Sequence, residues 1–165
     1  MARMNLYLIG LPGVGKSTIG KELAKKLQYE FIDLDVYIEQ KAMMFVDEIF
    51  HLYGEEYFRA LETNALKEFE EKNHYVIACG GGIIKNRENK KYMHGFCIYL
   101  TSSFDDIEKR LNESVIVRPL LLEKSITQLY FERKDAYQDF ADFVIENKDI
   151  SKTIEQILKK VGLSQ

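Results

Sequence analysis

Gly10-Leu11-Pro12-Gly13-Val14-Gly15-Lys16-Ser17 is the stretch on which the reading of the fold turns. It fits G-x-x-x-x-G-K-[ST] and sits between an apolar run, Asn5-Leu6-Tyr7-Leu8-Ile9, and a segment from Ser17 to Leu27. In that segment Ile19, Leu23, Ala24 and Leu27 recur on one helical face. A glycine-rich turn between strand and helix lets successive N–H groups curl round phosphate oxygens, and the helix N-terminus adds its partial positive charge. Lys16 is then expected to reach the β- and γ-phosphates of a nucleotide, and the Ser17 hydroxyl to ligate Mg²⁺. The candidate nucleotide-binding residues are Gly13, Val14, Gly15, Lys16, Ser17 and Thr18.

Outward from this loop, strand-like and helix-like segments alternate. Phe31-Ile32 reads as the core of a second strand ending at Asp33-Leu34-Asp35, and Phe58, Leu61, Ala65, Leu66 and Phe69 stripe a long helix from Glu55 to Lys72. Tyr75-Val76-Ile77-Ala78-Cys79 is a third strand running into Gly80-Gly81-Gly82. Phe96 to Leu100 is a fourth, followed by a helix from about Phe104 to Leu111. Ile126, Leu129, Tyr130, Arg133, Ala136, Tyr137 and Phe140 share one helical face, Phe143-Val144-Ile145 is a fifth strand, and Ile154, Ile157, Leu158 and Val161 stripe a last helix. Such alternation predicts an α/β domain with a parallel sheet covered on both sides, and ligands at the carboxyl ends of its strands. Those ends carry Gly10, Asp33 with Asp35, and Gly80. Without repeats, linkers or low-complexity stretches, residues 1–165 read as one domain.

Composition narrows the function classes. The 165 residues are 46% hydrophobic and 30% charged, enough apolar content for a packed core. With 23 basic against 26 acidic residues the net charge is −3, which argues against general binding to nucleic acid or an anionic membrane. No apolar run nears the ~20 residues of a membrane span. The first apolar stretch meets Gly10 and Pro12 with no cleavage-like segment, so no signal peptide is expected. Cys79 and Cys97 form no CxxC, which points to a reducing, cytoplasmic compartment. His51, His74 and His94 lack metal-ligand spacing, and the charged stretch Lys85–Lys91 reads as a solvated helix face.

The remaining chemistry concerns an acceptor. Asp33 and Asp35, two apart on an extended segment, are expected to face the rim together, one supporting a metal and the other an acceptor; either is also placed to cap a helix beginning near Val36. Gly80-Gly81-Gly82 offers open backbone N–H groups, or only a tight turn. Arg133 falls on the apolar stripe of its helix, so its guanidinium faces inward and must meet an anion, either a ligand or a protein carboxylate. Arg59 has Glu62 at i+3, an ordinary surface pair or a carboxylate that orients the arginine. Arg118-Pro119 marks a loop with an arginine at its hinge, able to close over phosphates.

Taken together, GLPGVGKST (10–18), FIDLD (31–35), GEEYFRALE (54–62), CGGG (79–82), RPLL (118–121) and ERKDAY (132–137) resemble the shikimate kinase family, in its order and over nearly the whole chain. The resemblance implies a three-layer α/β/α P-loop kinase fold with a five-stranded parallel sheet of order 2-3-1-4-5. It also implies a mobile lid near 113–124 and a substrate-binding helical region near 35–62. The implied reaction is transfer of the ATP γ-phosphate to the 3-hydroxyl of shikimate, with ATP and shikimate as partners, Mg²⁺ as cofactor and a cytoplasmic monomer as setting. By the same resemblance Lys16, Asp35 and Arg118 are catalytic, and Arg118 also contacts ATP. Asp35, Arg59, Gly80, Gly81, Gly82 and Arg133 bind the acceptor, and Ser17 with Asp33 (via water) serves the metal. Residues Ser114–Val117 lack the further basic residues often found in such lids, 145–150 hold no arginine for adenine, and Cys79 stands where Thr or Leu is more familiar. Two alternatives stay open: a kinase for gluconate or another small hydroxy acid, and a non-catalytic nucleotide-binding module.

Overall fold

The computed structural model describes residues 4–113 and 124–163. Strand β1 (Asn5–Ile9) is buried at all five positions, as a central parallel strand must be, and the loop after it feeds helix α1 (Lys16–Leu27). There follow β2 (Glu30–Asp33), α2 (Leu34–Ala42), α3 (Val46–Tyr53), α4 (Glu55–Phe69) and β3 (Tyr75–Ala78). Two 3₁₀ turns, Ile83–Lys85 and Arg87–Tyr92, lead to β4 (Gly95–Thr101). The chain is completed by α5 (Phe104–Asn112), α6 (Ile126–Phe140), β5 (Phe143–Glu146) and α7 (Ile150–Lys160).

All strand pairings are parallel and the order is β2-β3-β1-β4-β5, the order implied by the sequence motifs. Helix α1 lies on β2 and β3 and meets α7, which lies on β5, while α6 packs against β4. Helices α1, α6 and α7 thus each bury an apolar stripe on the sheet. One polar residue is built into the core. Asn5, fully buried, donates to the carbonyls of Phe69 (3.1 Å) and Lys72 (3.0 Å) and accepts from the Tyr75 N–H (3.0 Å). This clamp ties the end of α4 to β1 and β3.

Three local expectations need correction. The second strand stops at Asp33 and α2 begins at Leu34, so Asp35 lies in a first helical turn and not on extended chain. Asp33 is the cap: one oxygen accepts from the Val36 N–H at 3.2 Å. Helix α3 falls inside the helical region near 35–62 that the resemblance implies, but residue spacing alone gives no separate helix there. Its start carries no side-chain cap of the usual kind; instead Glu39 accepts from the Val46 N–H (2.9 Å) and Glu48 from the Phe45 N–H (3.1 Å). The charged stretch after residue 85 forms 3₁₀ turns, and it is not wholly solvated. Asn89 is buried, donates to the Ile83 carbonyl (2.8 Å) and accepts from Thr63 (2.7 Å).

Candidate active site

The carboxyl ends of β1, β2 and β3 open on a cleft of about 490 Å³, within the range of small-molecule sites. At its phosphate end the backbone dictates glycine. Gly15 caps α1 with φ +96°, and a Cβ there would lie 2.5 Å from Asn147 Nδ2. Gly10 has φ +146°, and its Cβ would lie 2.5 Å from the Leu100 carbonyl oxygen. Lys16 arches back over the loop, its Nζ donating to the carbonyls of Gly10 (2.6 Å) and Leu11 (3.0 Å). Ser17 Oγ donates to Asp33 Oδ2 at 2.9 Å, so Asp33 uses one oxygen as a cap and the other toward the loop. Gly13, Gly15, Lys16, Ser17 and Thr18 line the cleft. Val14 differs: its side chain is buried, and only its backbone belongs to the loop.

A support behind this loop escaped the sequence reading. Asn147, the first residue beyond β5, donates from Nδ2 to the Val14 carbonyl (2.9 Å) and accepts on Oδ1 from Thr153 (3.0 Å). Arg110 on α5 donates to the Gly13 carbonyl (3.1 Å) and to Ser102 Oγ (2.9 Å), and it lines the cleft. The one sequence signal for Asn147 was its place at a strand's carboxyl end. Arg110, inside Glu108-Lys109-Arg110, reads as one more solvated charge.

The acceptor end is built on the triple glycine. A Cβ at Gly80 would lie 2.8 Å from Asp35 Oδ1 and 3.1 Å from Glu62 Oε2, and one at Gly81 would lie 3.0 Å from Arg133 Nη1. One at Gly82 would lie 2.5 Å from Arg59 Cζ. Side chains here press onto bare backbone, which is why three glycines follow one another. Asp35, Arg59 and Arg133 therefore do meet, and Glu62 joins them. Arg59 is held from two sides: Nη1 donates to Glu62 Oε1 (2.7 Å), while Nε (3.1 Å) and Nη2 (3.0 Å) donate to Glu55 Oε2. Its guanidinium also sits near the rings of Phe58 (5.3 Å) and Phe50 (5.9 Å), so α3, through Phe50, contributes to the wall.

Asp35 Oδ1, Glu62 Oε2 and Arg133 Nε are buried and have no hydrogen-bond partner among the described residues. Such groups are rare in folded proteins, and three at one cleft indicate a polar ligand. Burial pushes the Asp35 carboxyl up to about 6, with the charge of Asp33 adding and those of Lys16 and Arg59 opposing. Burial likewise pushes Glu62 up to about 7 against the pull of Arg59, and Asp35 adds to the rise. Cys79 lines the cleft as a packed thiol that burial pushes well up, consistent with an inert role. Arg118 and residues 114–123, where a lid is expected, lie outside the described residues, while Leu111 and Glu113 line the cleft. Among the described residues there is no group of His, Cys, Asp or Glu suited to hold a metal by itself, and no helix is long and apolar enough to cross a membrane.

A phosphate loop at one end of a cleft and buried carboxylates with arginines at the other, on a 2-3-1-4-5 parallel sheet, define a P-loop kinase acting on a small polar molecule. The shikimate kinase family model matches residues 12–162. A shikimate kinase of Alkaliphilus oremlandii is 37% identical over 164 residues, spanning 95% of this chain and 96% of that one. Among solved structures, shikimate kinase of Bacteroides thetaiotaomicron superposes with TM-score 0.89 at 32% identity, covering 98% of this chain and 100% of that one. Shikimate kinase of Acinetobacter baumannii in complex with shikimate gives 0.85 at 30% identity, covering 96% and 92%. A gluconokinase of Sinorhizobium meliloti, TM-score 0.63 at 12% identity, shares the fold alone. The chain belongs to the shikimate kinase family, and it is an ATP-dependent kinase with shikimate as the acceptor.

Proposed function

We propose that the γ-phosphate of ATP is transferred to the 3-hydroxyl of shikimate, giving shikimate 3-phosphate and ADP, with roles divided between the two ends of the cleft. The observation that carries this division is the wall at Gly80–Gly82, where two buried carboxylates, Asp35 and the arginine-paired Glu62, and two guanidinium groups face a cleft whose other end is the phosphate loop. A small hydroxy acid needs that pairing: cations for its carboxylate and an anion for its reacting hydroxyl. In this reading Arg59 and Arg133 bind the carboxylate, and the backbone of Gly80, Gly81 and Gly82 completes the seat. Asp35, pushed up only to about 6, is ionised at neutral pH. It accepts a hydrogen bond from the acceptor hydroxyl and takes its proton as the oxygen–phosphorus bond forms. Lys16, leaving the loop carbonyls for the phosphate oxygens, offsets the charge that develops there, and Arg118 acts from the lid.

The donor set suits a hard divalent cation, since Ser17 and Asp33 present oxygens 2.9 Å apart beside the phosphate loop. Ser17 would hold Mg²⁺ directly and Asp33 through water. Bound there, the ion would neutralise charge on the β- and γ-phosphates. The proposed setting is a cytoplasmic monomer with ATP and shikimate as partners. A coupled assay of ADP release with Mg²⁺ tests the reading: shikimate is expected to drive turnover, and gluconate and quinate are not. Turnover with gluconate but not shikimate overturns it.

A further inference from the structure

The two guanidinium groups at the acceptor wall are held in opposite ways. Arg59 is ion-paired within the protein to both Glu55 and Glu62, and Lys85 shares Glu55. Of its five N–H donors three are occupied by these carboxylates. Arg133 is more deeply buried, at 4% exposure, yet among the described residues it forms no ion pair, and its Nε has no partner. Glu62, already paired to Arg59, is near enough for its charge to reach Arg133 but forms no ion pair with it, so the buried guanidinium needs a further support to hold it in place.

That support is Tyr137, one helical turn along α6. Its ring is fully buried and stacks on Tyr99 of β4, with centroids 4.9 Å apart and planes at 29°. Its hydroxyl donates to the Gly81 carbonyl and lies against the Arg133 guanidinium. Arg133 Nη1 in turn rests over Gly81, where a Cβ would lie 3.0 Å away. Tyrosine, arginine and glycine loop thus form one closed set of contacts. Tyr137 is an uncharged partner, since burial pushes its phenol up to about 12. It fixes the guanidinium without cancelling its charge, where an aspartate or glutamate at this place would fix and neutralise it together.

We propose that Tyr137 is a positioning residue for the acceptor's carboxylate, its hydroxyl locking the Gly81 backbone and the Arg133 guanidinium into one arrangement while leaving the arginine's charge to the ligand. In consequence Arg133 keeps its charge for an anionic acceptor, whereas Arg59 shares its own with Glu55 and Glu62. The inference rests on the reading of shikimate's carboxylate as the group that Arg133 meets.

The test is Tyr137→Phe, which keeps the ring, its volume and its stacking on Tyr99. Loss of a hydrogen bond that orients a charged group is expected to raise the KM for shikimate about 10- to 100-fold. The KM for ATP should stay within about twofold, because the phosphate loop is untouched. With the carboxamide of shikimate, which has no charge for Arg133 to meet, wild type and variant should differ by less than about twofold in KM. Replacement of Tyr137 by 4-aminophenylalanine, which keeps a donor to Gly81, should restore the KM for shikimate, and it takes over the test if the phenylalanine variant does not fold. An unchanged KM for shikimate, equal rises for shikimate and ATP, equal rises for shikimate and its carboxamide, or failure of the amino variant to restore binding overturns the proposal. Wild-type protein that neither binds nor phosphorylates shikimate overturns the substrate reading and this inference with it. Wild-type turnover with an indifferent variant overturns the inference alone.

Discussion

Replacing Gly82 by alanine probes the acceptor wall without removing a charged group. The backbone at Gly82 (φ −96°, ψ 13°) is open to alanine, so no strain follows from the dihedral angles. The added Cβ, however, would lie 2.5 Å from both Cζ and Nη1 of Arg59. To reach an ordinary contact of about 3.4 Å, the guanidinium must withdraw by about 1 Å. That shift lengthens the 2.7 Å bond to Glu62 beyond hydrogen-bonding range and takes the fork away from the acceptor's carboxylate. One charge-assisted hydrogen bond lost corresponds to about 1.5–3 kcal/mol, or about 10- to 150-fold in the KM for shikimate. A guanidinium at the end of a flexible side chain moves easily, so the thermal midpoint should change by only a few degrees. Initial rates of ADP release against shikimate at saturating ATP, and against ATP at saturating shikimate, read the two constants separately. A rise in the KM for ATP comparable with that for shikimate, or no rise in either, would refute the placing of Arg59 at the acceptor.

Two further perturbations address other parts of the site. In the ligand-free protein the Glu62 carboxyl is pushed from 4.5 up to about 7, so its contribution to stability is fully present below pH 4.5 and lost as the pH rises through 7. The loss is on the order of 3 kcal/mol. Denaturant midpoints of Glu62→Gln should therefore fall less steeply than those of wild type between pH 4.5 and 7, and parallel slopes would count against the burial of this carboxyl. Asn147→Ala removes the bond to the Val14 carbonyl behind the phosphate loop. It should raise the KM for ATP by about 5- to 30-fold, from the ~1–2 kcal/mol of a buried hydrogen bond, and leave the KM for shikimate unchanged. The reverse pattern would place Asn147 elsewhere in the mechanism.

The phosphate loop was legible because its glycines answer a demand that only backbone can meet, and the order of strands followed once the motifs were recognised together. Arg133 was legible for a different reason: a guanidinium on an apolar stripe must face inward, and it does. Asp33 and Asp35 were placed on the right rim by wrong geometry. The strand passes into helix between them, so the cap and the acceptor carboxylate arise from a turn and not from strand alternation. Helix α3 was missed as a separate element because Met43-Met44-Phe45 supplies no capping side chain and its N–H groups are satisfied by Glu39 and Glu48. Tyr137 shares the helical face of Arg133 and its ring is core, but nothing in helical spacing tells where a phenolic hydroxyl at the end of that ring will point. Arg110 and Asn147 serve carbonyls distant in the chain, which no local pattern encodes.

Phosphorus NMR of a reaction of ATP, Mg²⁺ and shikimate with the wild-type protein reads directly which oxygen receives the phosphate. One new phosphomonoester resonance is expected, coupled to the proton on carbon 3 of shikimate and growing in step with ADP. Growth of ADP with only inorganic phosphate, or a phosphomonoester coupled to another ring proton, would contradict transfer to the 3-hydroxyl.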